Sequence, residues 1–502
     1  MVTGPDLRIL YVNAKKHSIG HDTVHFVSLR GPHRETLERE TLFPEHARIP
    51  LIPADLKTQT FRGSMAMGGA TISLRVISTV AAILLARILD PEDFGIVALA
   101  QILLSTTNLF SGLGLGPAII QSRADRGKVA FQAFAATAVS GTVLFLVILA
   151  NTGTFAGLLG NTDVVPVLSW MSAMVLFGAL TIVPEALLQK DLLFGRVSIT
   201  VVVSEVLYLA IALSMAYGGY GLWSLVYANL ARGVIMMTLM WVLCPGWEWL
   251  KPKRWDRTLM RDLLRFGIHA TGGGFITFFY SVADNFIVGK WLGAAALGFY
   301  SKSHDFTRRT VDQINNVIGA VLLPSYSKIQ GDSERLSRAY LKSLRLVSFV
   351  TVPVAMGTLI TAPEMIGTLL GEKWLPMVPA LQVLACVSIV KPLSASTSAL
   401  FLSIGRPLFN LKAGIVVTAV MIPLSFALLG FDIAGVAAAV LAAHFAGFAY
   451  NMYQVKTVMS RTASRMVPAA APALIAAAVM MLGVHFSKDP LLEAVGGEHT
   501  LV

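Results

Sequence analysis

Charged residues are scarce in this chain of 502 residues: they make up 14% of it, against 55% hydrophobic residues and a mean hydropathy of +0.67. A soluble core of this length needs far fewer apolar side chains, so a soluble globular protein is excluded. The 2 cysteines, Cys244 and Cys386, both lie in apolar runs, which argues against a disulfide framework and a zinc site. Alternating runs of strand length are missing too, which excludes a transmembrane β-barrel.

The sequence contains instead a series of apolar runs of about 20 residues, each long enough to cross the hydrocarbon core of a bilayer. They predict an all-α polytopic membrane protein with about 13 transmembrane helices. The predicted spans are 67–89, 95–119, 129–150, 164–186, 197–217, 221–244, 266–289, 296–323, 343–362, 377–403, 409–429, 433–455 and 466–486.

Lysine and arginine are divided unequally between the loops that join these spans. One set of alternate loops holds 21 of them and the other set holds 4. The rich set comprises 121–128, 185–197, 245–265, 325–345, 404–412 and 456–467. Because such loops stay in the cytoplasm, the rich set and the N-terminus are predicted to be cytoplasmic. Topology therefore explains the net charge of +11, and no nucleic-acid partner is needed.

The sequence contains an internal repeat. A shift of 203 positions lays Arg87 on Lys290 and Gly95 on Gly298, and Pro117 and Pro324 end their spans at nearly the same shift. Six spans separate the copies, so the halves have the same orientation and form two parallel six-helix bundles around a central cleft. The predicted domains are a polar, disordered cytoplasmic extension (1–64), a first lobe (65–244), a basic amphipathic linker on the membrane surface (245–265), a second lobe (266–457), and a further helix with a short periplasmic tail (458–502).

Formal charges lie well inside the spans. Six cations oppose four acids: Arg75, Arg232, Lys302, Arg308, Arg309 and Lys391 against Glu205, Asp284, Asp305 and Asp312. A charge at mid-bilayer costs at least about 2.5–3.5 kcal/mol, so such residues face a watery cavity or a partner. The positive balance suits an anionic ligand, and arginine and lysine are the usual partners of phosphate.

The eighth span shows this most clearly. At 100° per residue, its polar residues from Lys302 to Asn316 fall within an arc of about 140°. An alternative is that Asp305 pairs with Arg309, and Arg308 with Asp312, along the helix, so that these charges only stabilise the helix. Lys302 has no carboxylate four residues on, and Glu205 and Asp284 have no obvious local partner.

Four segments resemble the polysaccharide transporters, or lipid-linked oligosaccharide flippases, of the multidrug/oligosaccharidyl-lipid/polysaccharide flippase superfamily. They are 84-LLARILDPEDFGIVALA-100, 283-ADNFIVGKWLGAAALGFYSK-302, 333-SERLSRAYLKSLRLVSFVTVPV-354 and 370-LGEKWLPMVPALQVLA-385. The resemblance covers about residues 56–486. It implies a two-lobed helical transporter of the bacterial inner membrane that exports a polyprenyl-diphosphate-linked glycan repeat unit for exopolysaccharide, capsule or O-antigen synthesis. Residues 1–55 fall outside it, and the fourteenth span of many members is missing here.

On this reading the substrate diphosphate meets the cations of the cleft while opening alternates between the two sides. The predicted substrate-binding residues are Arg75, Lys302, Arg308, Arg309 and Lys391, and the candidates for carrying a coupling proton or sodium ion are Glu205 and Asp284. Expected partners are the lipid-linked oligosaccharide, membrane lipids, and the polymerase and glycosyltransferases of the same synthesis. No catalytic residue, cofactor or metal site is predicted.

Two other functions are compatible with such a chain. A cation-coupled multidrug or organic-cation antiporter of the same superfamily would predict a cleft of unpaired acids and aromatic residues. A membrane glycosyltransferase or ligase would need a large outer loop or an acidic metal-binding pair. No P-loop motif is present, so ATP hydrolysis by that route is not expected.

The predicted topology can be tested with alkaline phosphatase fusions, since this reporter is active only outside the cytoplasm. We expect a fusion after Asn161 to be active and one after Gly331 to be inactive, because the loop at 151–163 has no Lys or Arg and the loop at 325–345 has five. The reverse pattern would contradict the orientation.

Overall fold

The structure is a computed structural model that describes residues 77–494. Within the helices, the side chains of several residues, among them 270–277 and 309–317, are outside the description. The predicted N-terminal extension at 1–64 and Arg75 lie outside the described residues, and so does the side chain of Arg309. All described residues belong to one compact unit.

The described part of the chain is helical and has no strand, which confirms the all-α fold class. Its first part contains α1 (Ile77–Ile88), α2 (Pro91–Ser111), α3 (Leu115–Gln121), α4 (Arg126–Ala150), α5 (Thr152–Leu159), α6 (Val164–Met171), α7 (Ala173–Lys190), α8 (Phe194–Tyr217) and α9 (Leu222–Leu243). Its second part contains α10 (Arg257–Trp291), α11 (Ala294–Ser327), α12 (Ser333–Leu369), α13 (Val378–Ser403), α14 (Leu408–Ala427), α15 (Asp432–Val458) and α16 (Ser460–Ala494). Short 3-10 helices at Trp247–Leu250, Glu372–Met377 and Leu429–Phe431 join some of them.

Ten segments of the described chain are long and apolar enough to cross a membrane. They are Pro91–Gln121, Arg126–Ala150, Val164–Lys190, Phe194–Tyr217, Leu222–Leu243, Ser333–Leu369, Glu372–Ser403, Leu408–Ala427, Leu429–Val458 and Ser464–Val484. The helices α1, α10 and α11 stand at the positions of the other three predicted spans but are not among the ten. The chain is therefore a multi-pass membrane protein, and the count of thirteen stays a prediction.

Two hairpins that join helices in the two halves pack directly on each other. In one hairpin, Asp90 and Pro91 start α2, and in the other Gly293, at φ +94°, allows the turn into α11. We call this end of the molecule, formed by residues 86–95, 290–298 and 368–377, the hairpin end. The opposite end, which carries the loops rich in Lys and Arg, is the basic end.

The contact between the hairpins is made by backbone on backbone. A Cβ atom at Gly95 would lie 1.7 Å from the carbonyl oxygen of Ala294, and one at Gly298 would lie 1.8 Å from that of Pro91. The shift of 203 positions converts the pair Gly95 and Ala294 into the pair Gly298 and Pro91. The two contacts are thus copies of one contact, as expected when repeated halves face each other across a two-fold axis.

A second backbone contact lies at the basic end, where α2 and α3 are separated by a break. The break has left-handed backbone at Leu113 (φ +49°) and Gly114 (φ +64°). A Cβ atom at Gly267 of α10 would be 2.1 Å from the carbonyl oxygen of Leu113. The break thus lets α10 approach the first half closely.

We expect Gly95→Ala and Gly298→Ala each to force α2 and α11 apart, because the added methyl group has no space, and overpacking of this kind costs about 1–3 kcal/mol. Hydrogen exchange of the purified protein should become faster in both hairpins in either variant, since each hairpin holds the other. Gly157→Ala in α5 is the control, because a Cβ atom there meets nothing within 4 Å. Unchanged exchange in both hairpins would contradict the contact.

Candidate functional site

A cavity of about 1180 Å³ lies between α2, α10, α11, α13, α14 and α15, with Arg232 of α9 and Met174 of α7 contributing to its wall. It is larger than the pockets of about 300–1,000 Å³ that enclose drug-sized ligands. The lining reaches Pro407 and Asn410 near the basic end. At the hairpin end, by contrast, the backbones of α2 and α11 touch. The cavity is therefore closed at the hairpin end and extends towards the basic end.

Side chains from both halves reinforce this closure. Arg87 Nε donates to the carbonyl oxygen of Leu369 at the end of α12 (2.8 Å), and Lys373 Nζ donates to that of Leu89 after α1 (2.7 Å). A cation is favourable at such helix ends because the last carbonyls carry partial negative charge. Trp374 is fully buried there, donates from Nε1 to the carbonyl oxygen of Ala86 (2.7 Å) and packs edge-on against the Phe94 ring.

Among the residues that the structure describes, the cavity wall carries three cations and two carboxylates. The cations are Arg232, Arg308 and Lys391, and the carboxylates are Asp284 and Asp305. Amide and hydroxyl side chains from α2, α10, α13, α14 and α15 make up most of the remaining polar lining, among them Gln101, Asn108, Asn285, Ser388, Asn410 and Asn451. The chemistry of the wall suits an anionic ligand with many hydroxyl groups.

The predicted binding cations are placed differently from one another. Arg308 and Lys391 line the cavity, whereas Lys302 is not part of its lining. The Nζ atom of Lys302 lies 3.9 Å from the centroid of the Phe94 ring and 3.9 Å from Asp305 Oδ2. The carboxylate three residues on thus reaches Lys302, although none stands four residues on. Lys302 contacts the closure at the hairpin end and connects α11 to α2 of the other half.

The two ion-coupling candidates also differ. Glu205 does not line the cavity and lies 3.4 Å from Arg232, whose guanidinium is also 5.1 Å from the Tyr208 ring centroid. Asp284 lines the cavity yet is only 3% exposed. The Glu205 carboxylate therefore supports a cation of the cavity wall. Of the two candidates, Asp284 is the one that lines the cavity itself.

Asp284 has two partners that the analysis of formal charges missed. The Tyr300 hydroxyl donates to Asp284 Oδ2 at 3.0 Å, and His304 Nε2 lies 3.0 Å from the same oxygen. Tyr300 and His304 are four residues apart, so both point from α11 towards α10. That spacing was the available signal, but it was overlooked because histidine carries no formal charge at neutral pH. A carboxylate beside an imidazole can share one proton between them.

A second histidine, His444 of α15, lines the same cavity and is buried. Its Nδ1 atom lies 2.8 Å from the carbonyl oxygen of Val440, one helical turn earlier. In the neutral tautomer whose Nδ1–H donates a hydrogen bond to that carbonyl, Nε2 is the acceptor. Sequence analysis did not single out this residue, because a lone histidine in an apolar run has no spacing signal.

The family described as "Polysaccharide biosynthesis protein" matches residues 84–379 of the chain. The lipopolysaccharide biosynthesis protein WzxC of Escherichia coli K12 is 22% identical over 73% of this chain and 75% of its own length. The succinoglycan biosynthesis transport protein ExoT of Rhizobium meliloti is 24% identical over 67% of each.

Two solved structures share the fold. The lipid II flippase MurJ in its inward closed conformation has a TM-score of 0.70, with 14% identity over 84% of this chain and 93% of that one. An inward-facing multidrug transporter of the MATE family has a TM-score of 0.63, with 16% identity over 76% of this chain and 95% of that one. Since the family match covers more than half of the sequence, the chain belongs to the polysaccharide biosynthesis protein family.

Proposed function

We propose that this protein is a flippase that moves a polyprenyl-diphosphate-linked oligosaccharide repeat unit across the bacterial inner membrane. The observation that carries the proposal is the polar cavity of about 1180 Å³ with Arg232, Arg308 and Lys391 in its wall. WzxC and ExoT are named for polysaccharide synthesis and transport, and MurJ is named as a lipid II flippase. Exopolysaccharide, capsule or O-antigen synthesis is the process that such a substrate serves.

The charge of the cavity supports an anionic headgroup as cargo. Three cations against two carboxylates leave a positive balance among the described lining residues, and fixed positive charge in a poorly solvated cleft concentrates anions. Arginine binds phosphate oxygens bidentately, and lysine acts as a point charge. The diphosphate would lie between Arg308 and Lys391, and the sugars would occupy the part of the cavity lined by amides.

The lining disfavours the alternative of a multidrug or organic-cation antiporter. Among the residues that the structure describes, no Phe, Tyr or Trp lines the cavity. An organic cation would be bound by aromatic faces and by acids in excess, and the described part of this wall has neither. The MATE likeness concerns the fold and therefore does not decide between the two cargoes.

Transport would proceed by alternating access, without enzymatic chemistry. The closed hairpin end separates as Gly95 leaves Ala294 and Gly298 leaves Pro91, and the basic end closes in exchange. The basic end faces the cytoplasm, with the N-terminus, so lipid-linked substrate made by cytoplasmic glycosyltransferases enters there. The product leaves at the hairpin end, where a polymerase takes it up.

Asp284 would carry the coupling ion. It is buried, lines the cavity and has His304 and Tyr300 as polar partners, so an ion held there is exposed to the same alternating opening as the substrate. Glu205 would keep Arg232 in place instead, because its carboxylate is outside the cavity lining.

We expect Arg308→Ala and Lys391→Ala each to slow flipping by about 10- to 100-fold, because a hydrogen bond to a charged group contributes about 1.5–3 kcal/mol. The measurement is transfer of a polyprenyl-diphosphate oligosaccharide between leaflets of reconstituted vesicles. Arg338→Ala is the matched control, since this exposed arginine of α12 lies outside the cavity lining and pairs with Glu334 one turn away (2.9 Å) on the basic end. Full transport by both cavity variants would contradict the proposal.

We expect Asp284→Asn to abolish the response of flipping to an imposed proton or sodium gradient, because the neutral amide can no longer exchange an ion. The control is Asp163→Asn, which makes the same substitution at an exposed position before α6. Its flipping should respond to the gradient like that of the unmodified protein. Size-exclusion profiles of both variants show whether they fold. A folded Asp284→Asn protein with a normal gradient response would rule out this residue as the coupling site.

A further inference from the structure

A groove of about 550 Å³ runs along the first three turns of α10, and none of its lining residues lines the transport cavity. Three arginines, Arg257, Arg261 and Arg265, line it together with the neighbouring Trp255. Residues 257–265 of the basic amphipathic linker predicted at 245–265 are therefore the first turns of α10, which begins at Arg257.

The three arginines form one stripe, because residues four apart lie above one another on a helix. All three are exposed. His269 extends the stripe by another turn. Like charges at this spacing repel each other, so the stripe destabilises the free helix. An anion bound beside the arginines would relieve this repulsion.

An apolar stripe runs beside the cations in the same groove. Met260, Leu264 and Ile268 are also four residues apart, and Ile268 is 65% exposed. Exposed apolar surface at Ile268, together with Trp255 two residues before the first arginine, is typical of a helix at the boundary between headgroups and acyl chains. The cations then lie at the level of lipid phosphates.

The groove is held in a fixed position. Asp256 caps α10 by accepting from the backbone N–H groups of Thr258 and Leu259, and the Thr258 hydroxyl holds the pKa of this carboxyl below its usual value. Lys253 Nζ lies 3.4 Å from Asp125 at the start of α4, which ties the linker to the first half.

We propose that this groove binds the headgroup of an anionic phospholipid, with the phosphate between Arg257, Arg261 and Arg265 and the acyl chains along Leu264 and Ile268. Charge complementarity selects this occupant, because the described lining of the groove has cations and apolar side chains but no acid. Another face of the same helix turns carries Gly267, whose backbone contacts the Leu113 carbonyl across the two halves. The bound lipid therefore stabilises the position of α10 at the basic-end contact.

The test is binding of phosphatidylglycerol to the purified full chain, measured by native mass spectrometry and by the shift of the unfolding midpoint, with phosphatidylcholine as the neutral comparison. We expect the triple variant Arg257→Gln/Arg261→Gln/Arg265→Gln to bind phosphatidylglycerol about 10- to 100-fold more weakly, since each cation near an anionic surface contributes to the attraction. Replacement of the same three arginines by lysine should restore most of the binding, because the charge remains.

The matched control is Arg335→Gln/Arg338→Gln/Lys342→Gln, which removes three exposed cations from α12 near the same end, beside the acids Asp332 and Glu334. It should bind phosphatidylglycerol like the unmodified protein. Equal binding of phosphatidylglycerol by the arginine-to-glutamine variant of α10 and by this control would overturn the proposal. Binding of polyprenyl diphosphate, but not of phosphatidylglycerol, in the groove would overturn it as well. Because binding is measured without transport, a failed flipping assay leaves this result unaffected.

Discussion

The close approach of two backbones at the hairpin end is the constraint on which the rest of the structure depends. It requires glycine at Gly95 and Gly298, because any Cβ atom at either position would overlap a carbonyl oxygen of the opposite hairpin. Around that contact lie Arg87, Lys373 and Trp374, whose donors satisfy the carbonyl oxygens that helices leave free at their ends. The three segments that form the hairpin end, 86–95, 290–298 and 368–377, are therefore parts of one interface.

Charge inside the molecule is arranged in relation to this closure. Lys302 is withdrawn from the cavity onto the Phe94 ring, whereas Arg308, less than two turns further along α11, belongs to the cavity wall. One polar stripe on a helix thus has residues in two places, since its first residue stabilises the contact between the halves and a later residue lines the cavity. Arg232, in the same wall, has the Glu205 carboxylate as a partner at 3.4 Å.

Hydropathy and charge were sufficient to predict the helical class, the positions of most spans and the repeat, because these depend on composition over about 20 residues. They also placed Arg308 and Lys391 in a polar interior. Contacts between distant parts of the chain were not predictable: Lys302 meets Phe94, and Asp284 meets Tyr300 and His304, through the packing of separate helices. Spacing along one helix contains no information about which residue of another helix is opposite. The binding role of Arg75 and Arg309 stays a prediction.

The depth of the cavity has an electrical consequence. A polar cavity of about 1180 Å³ has room for tens of water molecules, whose presence brings the potential of one side deep into the molecule. The transmembrane voltage then falls mainly across the thin closed hairpin end instead of across the whole bilayer. A charge moved through that layer gains or loses about 2.3 kcal/mol per 100 mV. Lys302, which contacts Phe94 of the closure, and Asp284, which lines the cavity and accepts from the buried Tyr300, are two charged residues beside this layer.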